Sequence, residues 1–396
     1  MKLVNKRMRT MDMSGSLYDI YEKSIKMQNE GRSIIHMEIG KPDFDSPLIA
    51  KEAAKRSLDE GFVHYTEISG ILELREAILK KESEKNGIYF DVNSEIIVTA
   101  GACEAIMAFF LAVLDSGDEI IIPSPYFSAY KEAAHIAGIV VNEVHLKLEN
   151  NFELKVEHLE KALTDRTKAL LINSPHNPTG SIIERETMER IAEFAIKHDL
   201  IVVSDETYDQ FIFEGEHISI STMPGMKERT VIINSASKIF SMTGWRVGYA
   251  IAPKEVIRYM HKVHTNMSTC AASFIQVGVA EAYSREERFT KNMIEEFRIR
   301  RDTLVSGLKQ IKGINLVVPK GSFYLMFDIA PYGMTDREFC NRLLEKTGLA
   351  ITPGDSFGKY GKGLVRLSYA CKREEIEEAV RRIKNFVEEL QSVTTY

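Results

Sequence analysis

The chain has 396 residues, 44% of them hydrophobic and 27% charged, and its 51 Lys and Arg against 57 Asp and Glu give a formal net charge of −6. That length predicts two domains around a large core, and the acidic balance offers no basic face for nucleic acid and no polybasic patch for a membrane surface. No apolar run approaches the roughly 20 residues of a membrane-spanning helix, residues 1–7 lack the apolar core of a signal peptide, and Cys103, Cys270, Cys340 and Cys371 never form Cys-x-x-Cys, so a cytoplasmic protein without zinc or disulfides is expected.

In chain order, short β-branched runs alternate with amphipathic stretches, the signature of a mostly parallel sheet with crossover helices. Strands are predicted over 95–99, 119–122, 139–144, 169–173, 200–204, 231–234 and 248–251, with helices such as 103–114 and 185–198 between them. Residues 286–309 are charged, helix-favouring and free of a strand, which predicts a long helix leaving this α/β unit. Beyond it, strands over 314–318, 323–327 and 364–368 with helices over 336–346 and 373–390 predict a smaller α+β domain. The expected division is an N-terminal segment, 1–45, joining the small domain, a large domain, 46–285, and a small C-terminal domain, 286–396.

The chemistry concentrates at the predicted strand ends. Lys238 follows a β-rich run in Ser235-Ala236-Ser237-Lys238, and Arg246 comes eight residues later in Thr243-Gly244-Trp245-Arg246-Val247-Gly248-Tyr249. Such a lysine can bond covalently to an aldehyde, while the serines and the arginine hold a phosphate. Asp205 closes the apolar strand before it, at the edge where open α/β sheets bind ligands; it suits a protonated ring nitrogen there, or a cap on the next helix. Thr99-Ala100-Gly101-Ala102-Cys103 stands where strand turns to helix, and its small residues let backbone N–H groups approach an anion.

From about residue 39 to residue 370 the chain closely resembles the class I/II aminotransferases of the aspartate aminotransferase family, fold type I enzymes whose cofactor is pyridoxal 5′-phosphate (PLP). The resemblance implies that Lys238 forms the imine and then moves the substrate Cα proton, that Asp205 faces the pyridine nitrogen, and that Tyr208 reaches the phenolate oxygen. Asn177, in Ser174-Pro175-His176-Asn177-Pro178-Thr179-Gly180, matches the family's Asn-Pro-Thr-Gly loop, which touches that oxygen and the substrate carboxylate. Gly101, Ala102 and Cys103 correspond to the phosphate cup, completed by Ser235, Ser237 and Arg246. Phe127, with Tyr126 as the alternative, corresponds to the ring stacked on the cofactor. Arg366, in Val365-Arg366-Leu367, matches the arginine that grips the α-carboxylate, and Gly40 approaches the same group in a Gly-Lys-Pro-Asp-Phe run whose Lys41 replaces the family's glutamate. Tyr65 matches a tyrosine that reaches the phosphate of the partner subunit, which implies a homodimer with shared active sites.

The implied activity is ping-pong transfer of the amino group of an L-amino acid, such as aspartate, an aromatic amino acid or alanine, to a 2-oxo acid, by default 2-oxoglutarate. Dicarboxylate-specific members use a second cation, but Cys103 occupies one of its usual places and Thr265-Asn266-Met267-Ser268-Thr269-Cys270 carries no arginine at the other. Two alternatives use the same scaffold: a PLP-dependent C–S β-lyase, and a non-catalytic regulator, for which the stretch before Gly40 is too short to add a DNA-binding domain.

Overall fold

The computed structural model describes residues 3–11 and 18–393. Its centre is a seven-stranded sheet of β1 (Ile96–Thr99), β2 (Glu119–Ser124), β3 (Val140–His145), β4 (Thr167–Asn173), β5 (Ile201–Asp205), β6 (Thr230–Ser235) and β7 (Gly248–Ile251), in the order β1-β7-β6-β5-β4-β2-β3. Helices on both faces bury nearly all of β1, β2, β4, β5, β6 and β7, which is why these segments read as Ile/Val/Leu runs and not as alternating ones. Every predicted strand of this sheet is present within a residue or two.

The alternation predicts a mostly parallel sheet without marking the strand that departs from it. Six strands run parallel; β7 alone runs antiparallel to both of its neighbours. Helices Leu48–Asp59, Leu72–Asn86, Ala129–Ala137, Lys254–Met267 and Ser273–Arg285 add to those named from the sequence.

A second, antiparallel sheet orders Thr352–Pro353, Leu364–Ser368, Tyr324–Asp328 and Asn315–Leu316. It is covered by helices Asp336–Thr347 and Arg373–Val393, and the long helix Glu287–Leu308 packs on the latter. The strand expected over 314–318 shortens to Asn315–Leu316, two residues that pair only with the end of Tyr324–Asp328. Ile35–His36 pairs in parallel with Leu349–Ala350, and the Met37 carbonyl accepts from Ser368 N at 2.8 Å, so residues 35–37 are stitched to the C-terminal layer, while helix Lys6–Arg9 lies on Ala129–Ala137. Among the described residues no helix is long and apolar enough to cross a membrane.

Candidate active site

The direction of β7 builds the site. β1, β4, β5 and β6 all end at one edge of the sheet, while β7 begins there, with Gly248 opposite both Thr99 and Ser235. Arg246, two residues before Gly248, is thereby wedged between the turn after β1 and the turn carrying Lys238. Its φ of 56° is left-handed, and its guanidinium donates to Thr243 O at 3.0 Å and Ala100 O at 3.3 Å. Both glycines of this corner are constrained: Gly101 has a φ of 88° and a Cβ there would displace the Arg246 guanidinium, while one on Gly248 falls 2.4 Å from the backbone Ala102 N.

These loops enclose a cavity of about 180 Å³ lined by Gly40, Ala102, Cys103, Phe127, Asn177, Asp205, Tyr208, Ser235, Ser237, Lys238, Arg246 and Arg366. Twelve of the anticipated site residues therefore share one space. Gly101 forms the adjoining turn, as the N-cap of Ala102–Val113. Tyr65 is 83% exposed on the 61–71 loop and lies outside the lining of this cavity. Tyr126 also lies outside it, its hydroxyl donating to Glu143 Oε1 at 3.1 Å, whereas Phe127 faces in and meets Tyr130 edge-on at 5.6 Å.

Lys238 sits in the short helix Ala236–Ile239, whose N-cap Ser235 accepts from Ser237 N at 3.3 Å. Its amine donates to Gly40 O at 2.6 Å. Burial lowers the Lys238 pKa to about 8, with Arg366 and Arg246 acting in the same direction against Cys103 and Asp205. Desolvation at the cavity wall pushes the Cys103 thiol up, although the residue keeps contact with solvent.

Asp205 lines the cavity at the end of β5 and caps the turn that follows it, where no helix begins. One carboxylate oxygen accepts from Thr207 N at 3.0 Å, as a turn cap does, and the other takes the Tyr130 hydroxyl at 2.6 Å. Burial raises its pKa while these bonds oppose the rise. Tyr208 OH meets Tyr324 OH at 2.8 Å, and a Cβ on Gly40 would fall 1.7 Å from that Tyr324 oxygen, so Gly40 alone permits the close pass of chain and ring.

Arg366 is 1% exposed, yet its hydrogen-bond partners are all neutral: Asn177 Oδ1 at 3.2 Å, Thr352 Oγ1 at 3.3 Å and the Glu38 main-chain oxygen. The rings of Tyr324 and Phe357 flank the guanidinium at 4.5 and 4.6 Å, and Nε has no partner. A buried cation so placed is set to receive a carboxylate.

Sequence reasoning passed over Tyr130, Thr207 and Tyr324. Tyr130 carried a local signal, because three residues after Phe127 at a helix start puts both rings on one side. Tyr324 carried a non-local one: Met326 pairs with Arg366, so Tyr324, two residues away, shares that face of the sheet.

The seven-stranded sheet with one reversed strand and the smaller antiparallel layer match the fold type I class of the solved structures to which the chain is similar. A family model for aminotransferase class I and II matches residues 32–383. The chain is 43% identical over 362 residues to an aspartate aminotransferase of Pyrococcus abyssi, covering 90% of this chain and 92% of that one. It is 40% identical over 363 residues to aromatic-amino-acid aminotransferase 2 of Thermococcus litoralis, covering 91% and 93%. Its structure is similar to that of aspartate aminotransferase from Thermus thermophilus with maleate, at a TM-score of 0.92 and 39% identity, covering 97% of this chain and 100% of the other. The chain belongs to the class I and II aminotransferases. It is an amino-acid aminotransferase; relatives named for this activity favour neither the β-lyase nor the regulator.

Proposed function

We propose that the chain binds PLP on Lys238 and moves the amino group of an L-amino acid, with aspartate and aromatic amino acids the leading donors, to a 2-oxo acid such as 2-oxoglutarate by a ping-pong cycle. The observation that carries this reading is the buried Arg366, which has only neutral partners and an unpartnered Nε in the cavity that also holds Lys238. The residues present fit the cofactor. Arg246, also bonded only to neutral oxygens, stands beside the turn where Gly101 leaves no room for a side chain, a cradle suited to phosphate. Asp205, bonded only to neutral donors, suits a protonated ring nitrogen.

PLP, when bound, supplies an aldehyde carbon for the lysine amine and a ring that draws electrons from the substrate Cα–H bond. In this reading the backbone N–H groups of Gly101, Ala102 and Cys103, with Ser235, Ser237 and Arg246, hold the phosphate. Phe127 covers one ring face, and Tyr208 and Asn177 hold the phenolate oxygen. Arg366 clamps the α-carboxylate beside the Gly40 backbone and so aims the Cα–H bond. Lys238, with its pKa lowered to about 8, is partly neutral near pH 7; its amine takes the Cα proton and returns it. Tyr65, exposed on its own chain, reaches the phosphate of a second copy in a homodimer. Residues 46–285 make the cofactor-holding unit, and 1–45 joins 286–396; the pairing of Ile35–His36 with Leu349–Ala350 supports this for the end of that segment, whereas helix Lys6–Arg9 lies against Ala129–Ala137 of the larger unit.

The test is to load the protein with PLP, reduce it with borohydride, and map the added mass. A label on the Lys238 peptide supports the reading, and a label on another lysine overturns the site. A panel of amino donors, with 2-oxoglutarate as acceptor and the 2-oxo acid products measured, then assigns the substrate. Pyruvate and ammonia released from cystathionine without an acceptor would instead mark a lyase.

A further inference from the structure

Behind the 205–208 turn lies a second charged cluster, sealed from the cavity. Asp205 and Tyr208 line the cavity, whereas Glu206 and Asp209, each the next residue along, do not. Glu206 is 1% exposed; it accepts from Ser219 Oγ at 2.6 Å and Ser204 Oγ at 2.9 Å, and pairs with His217 Nε2 at 2.9 Å. Asp209 is 3% exposed and takes Lys85 Nζ at 2.7 Å and Lys81 Nζ at 3.3 Å on one oxygen. The Asp209 N–H donates to Glu206 O at 2.9 Å, closing the turn between the two acids. Both lysines project from one face of helix Leu72–Asn86, one helical turn apart.

Buried ion pairs of this kind add little net stability, because desolvation consumes most of the attraction; what they fix well is geometry. Burial works to raise the Asp209 pKa, but Lys81 and Lys85 outweigh it and hold the carboxyl well below its usual range, so the clamp stays charged. Helix Leu72–Asn86 also follows directly on the 61–71 loop that carries Tyr65.

We infer that Glu206 and Asp209, gripped from behind by His217, Ser219, Lys81 and Lys85, are positioning residues that hold the 205–208 turn against the cofactor ring and tie it to helix Leu72–Asn86. This inference rests on the cofactor reading above. The clamp moves Asp205 and Tyr208 together, but only the contact of Asp205 to the ring nitrogen pairs two full charges, so the effect concentrates there and spares the phosphate cup, which is built from the turns after β1 and β6.

The experiment measures the affinity of the cofactor-free protein for two probes, pyridoxamine 5′-phosphate and its 1-deaza analogue, which lacks the ring nitrogen. Lys85→Met and Glu206→Gln are each expected to weaken the first about tenfold and the second by less than about threefold, with Lys85→Arg restoring the loss. Urea unfolding of each cofactor-free variant shows that the chain is folded at the assay temperature. An equal loss for both probes, or no loss for either, overturns the inference, because a merely structural role does not distinguish a ring nitrogen from a carbon. Wild-type protein that binds neither probe overturns the cofactor reading instead, a separate result.

Discussion

Replacing Arg366 with methionine separates a residue kept for the fold from one kept for a ligand. Methionine preserves most of the volume and fits between the rings of Tyr324 and Phe357, while removing the charge. The structure gives the guanidinium two ring contacts, worth about 2 kcal/mol each when desolvated, and hydrogen bonds to neutral oxygens only. These oppose an effective desolvation cost of several kcal/mol, so urea unfolding of the cofactor-free variant should differ from wild type by no more than about 2 kcal/mol. Activity behaves otherwise. Losing one partner of a desolvated carboxylate pair costs about 3–5 kcal/mol, so kcat/KM for an amino acid should fall by roughly two to four orders of magnitude at about 1.36 kcal/mol per decade. The decisive assay pairs each amino acid with the amine that lacks its carboxylate. Wild type should prefer the amino acid strongly, and Arg366→Met should lose that preference. If both substrates slow alike, or if the variant is destabilised by more than about 4 kcal/mol while the preference survives, the arginine serves the fold and the reasoning fails.

Three further outcomes follow from the same geometry. In the cofactor-free chain, acetylation of Lys238 by acetic anhydride should show a midpoint near pH 8 and not near the ordinary 10.5, and a midpoint at the ordinary value would remove the case for a neutral amine. Tyr65→Phe chains mixed with Lys238→Ala chains place both defects in one site of the hybrid and leave the other intact, so activity at limiting PLP should exceed that of either parent; hybrids no better than the Tyr65→Phe parent show that Tyr65 serves its own subunit. Burial lowers the His176 pKa from 6.5 to about 3, so below pH 6.5 the unfolded chain takes a proton that the folded chain refuses, and stability falls as pH drops, by up to about 1.4 kcal/mol per pH unit. Urea midpoints measured between about pH 7 and pH 5 should therefore decline more steeply in wild type than in His176→Gln, and parallel slopes would mean that His176 titrates normally in the fold.

What the sequence revealed follows from which signals are local. Asp205 was legible because an apolar strand ends on it, and Lys238 because small hydroxyl residues precede it at another strand end. Arg366 was legible from its alternation with Val365 and Leu367, although the strand proves buried on both faces. The reversal of β7 was not legible, since Gly248–Ile251 reads the same in either direction, yet that reversal is what carries Arg246 to the cleft. Tyr324 and the Lys81–Lys85 clamp depend on pairings between residues some 40 to 130 positions apart, for which no spacing rule exists. Tyr126 and Phe127 could not be separated by pattern, because the choice rests on which ring the turn rotates inward.

The neutral surroundings of the buried charges at the cleft tie the persistence of the folded chain to occupancy of the site. Asp205 and Arg366, both buried, have only neutral hydrogen-bond partners, so the folded form carries an electrostatic demand that the unfolded form, with its charges in water, does not. A ligand that satisfies the demand binds the folded form alone and stabilises it by about 4.1 kcal/mol when present at roughly a thousand times its dissociation constant. Occupancy of the cleft then governs how much of the chain resists unfolding and proteolysis, as well as how much of it is ready to react.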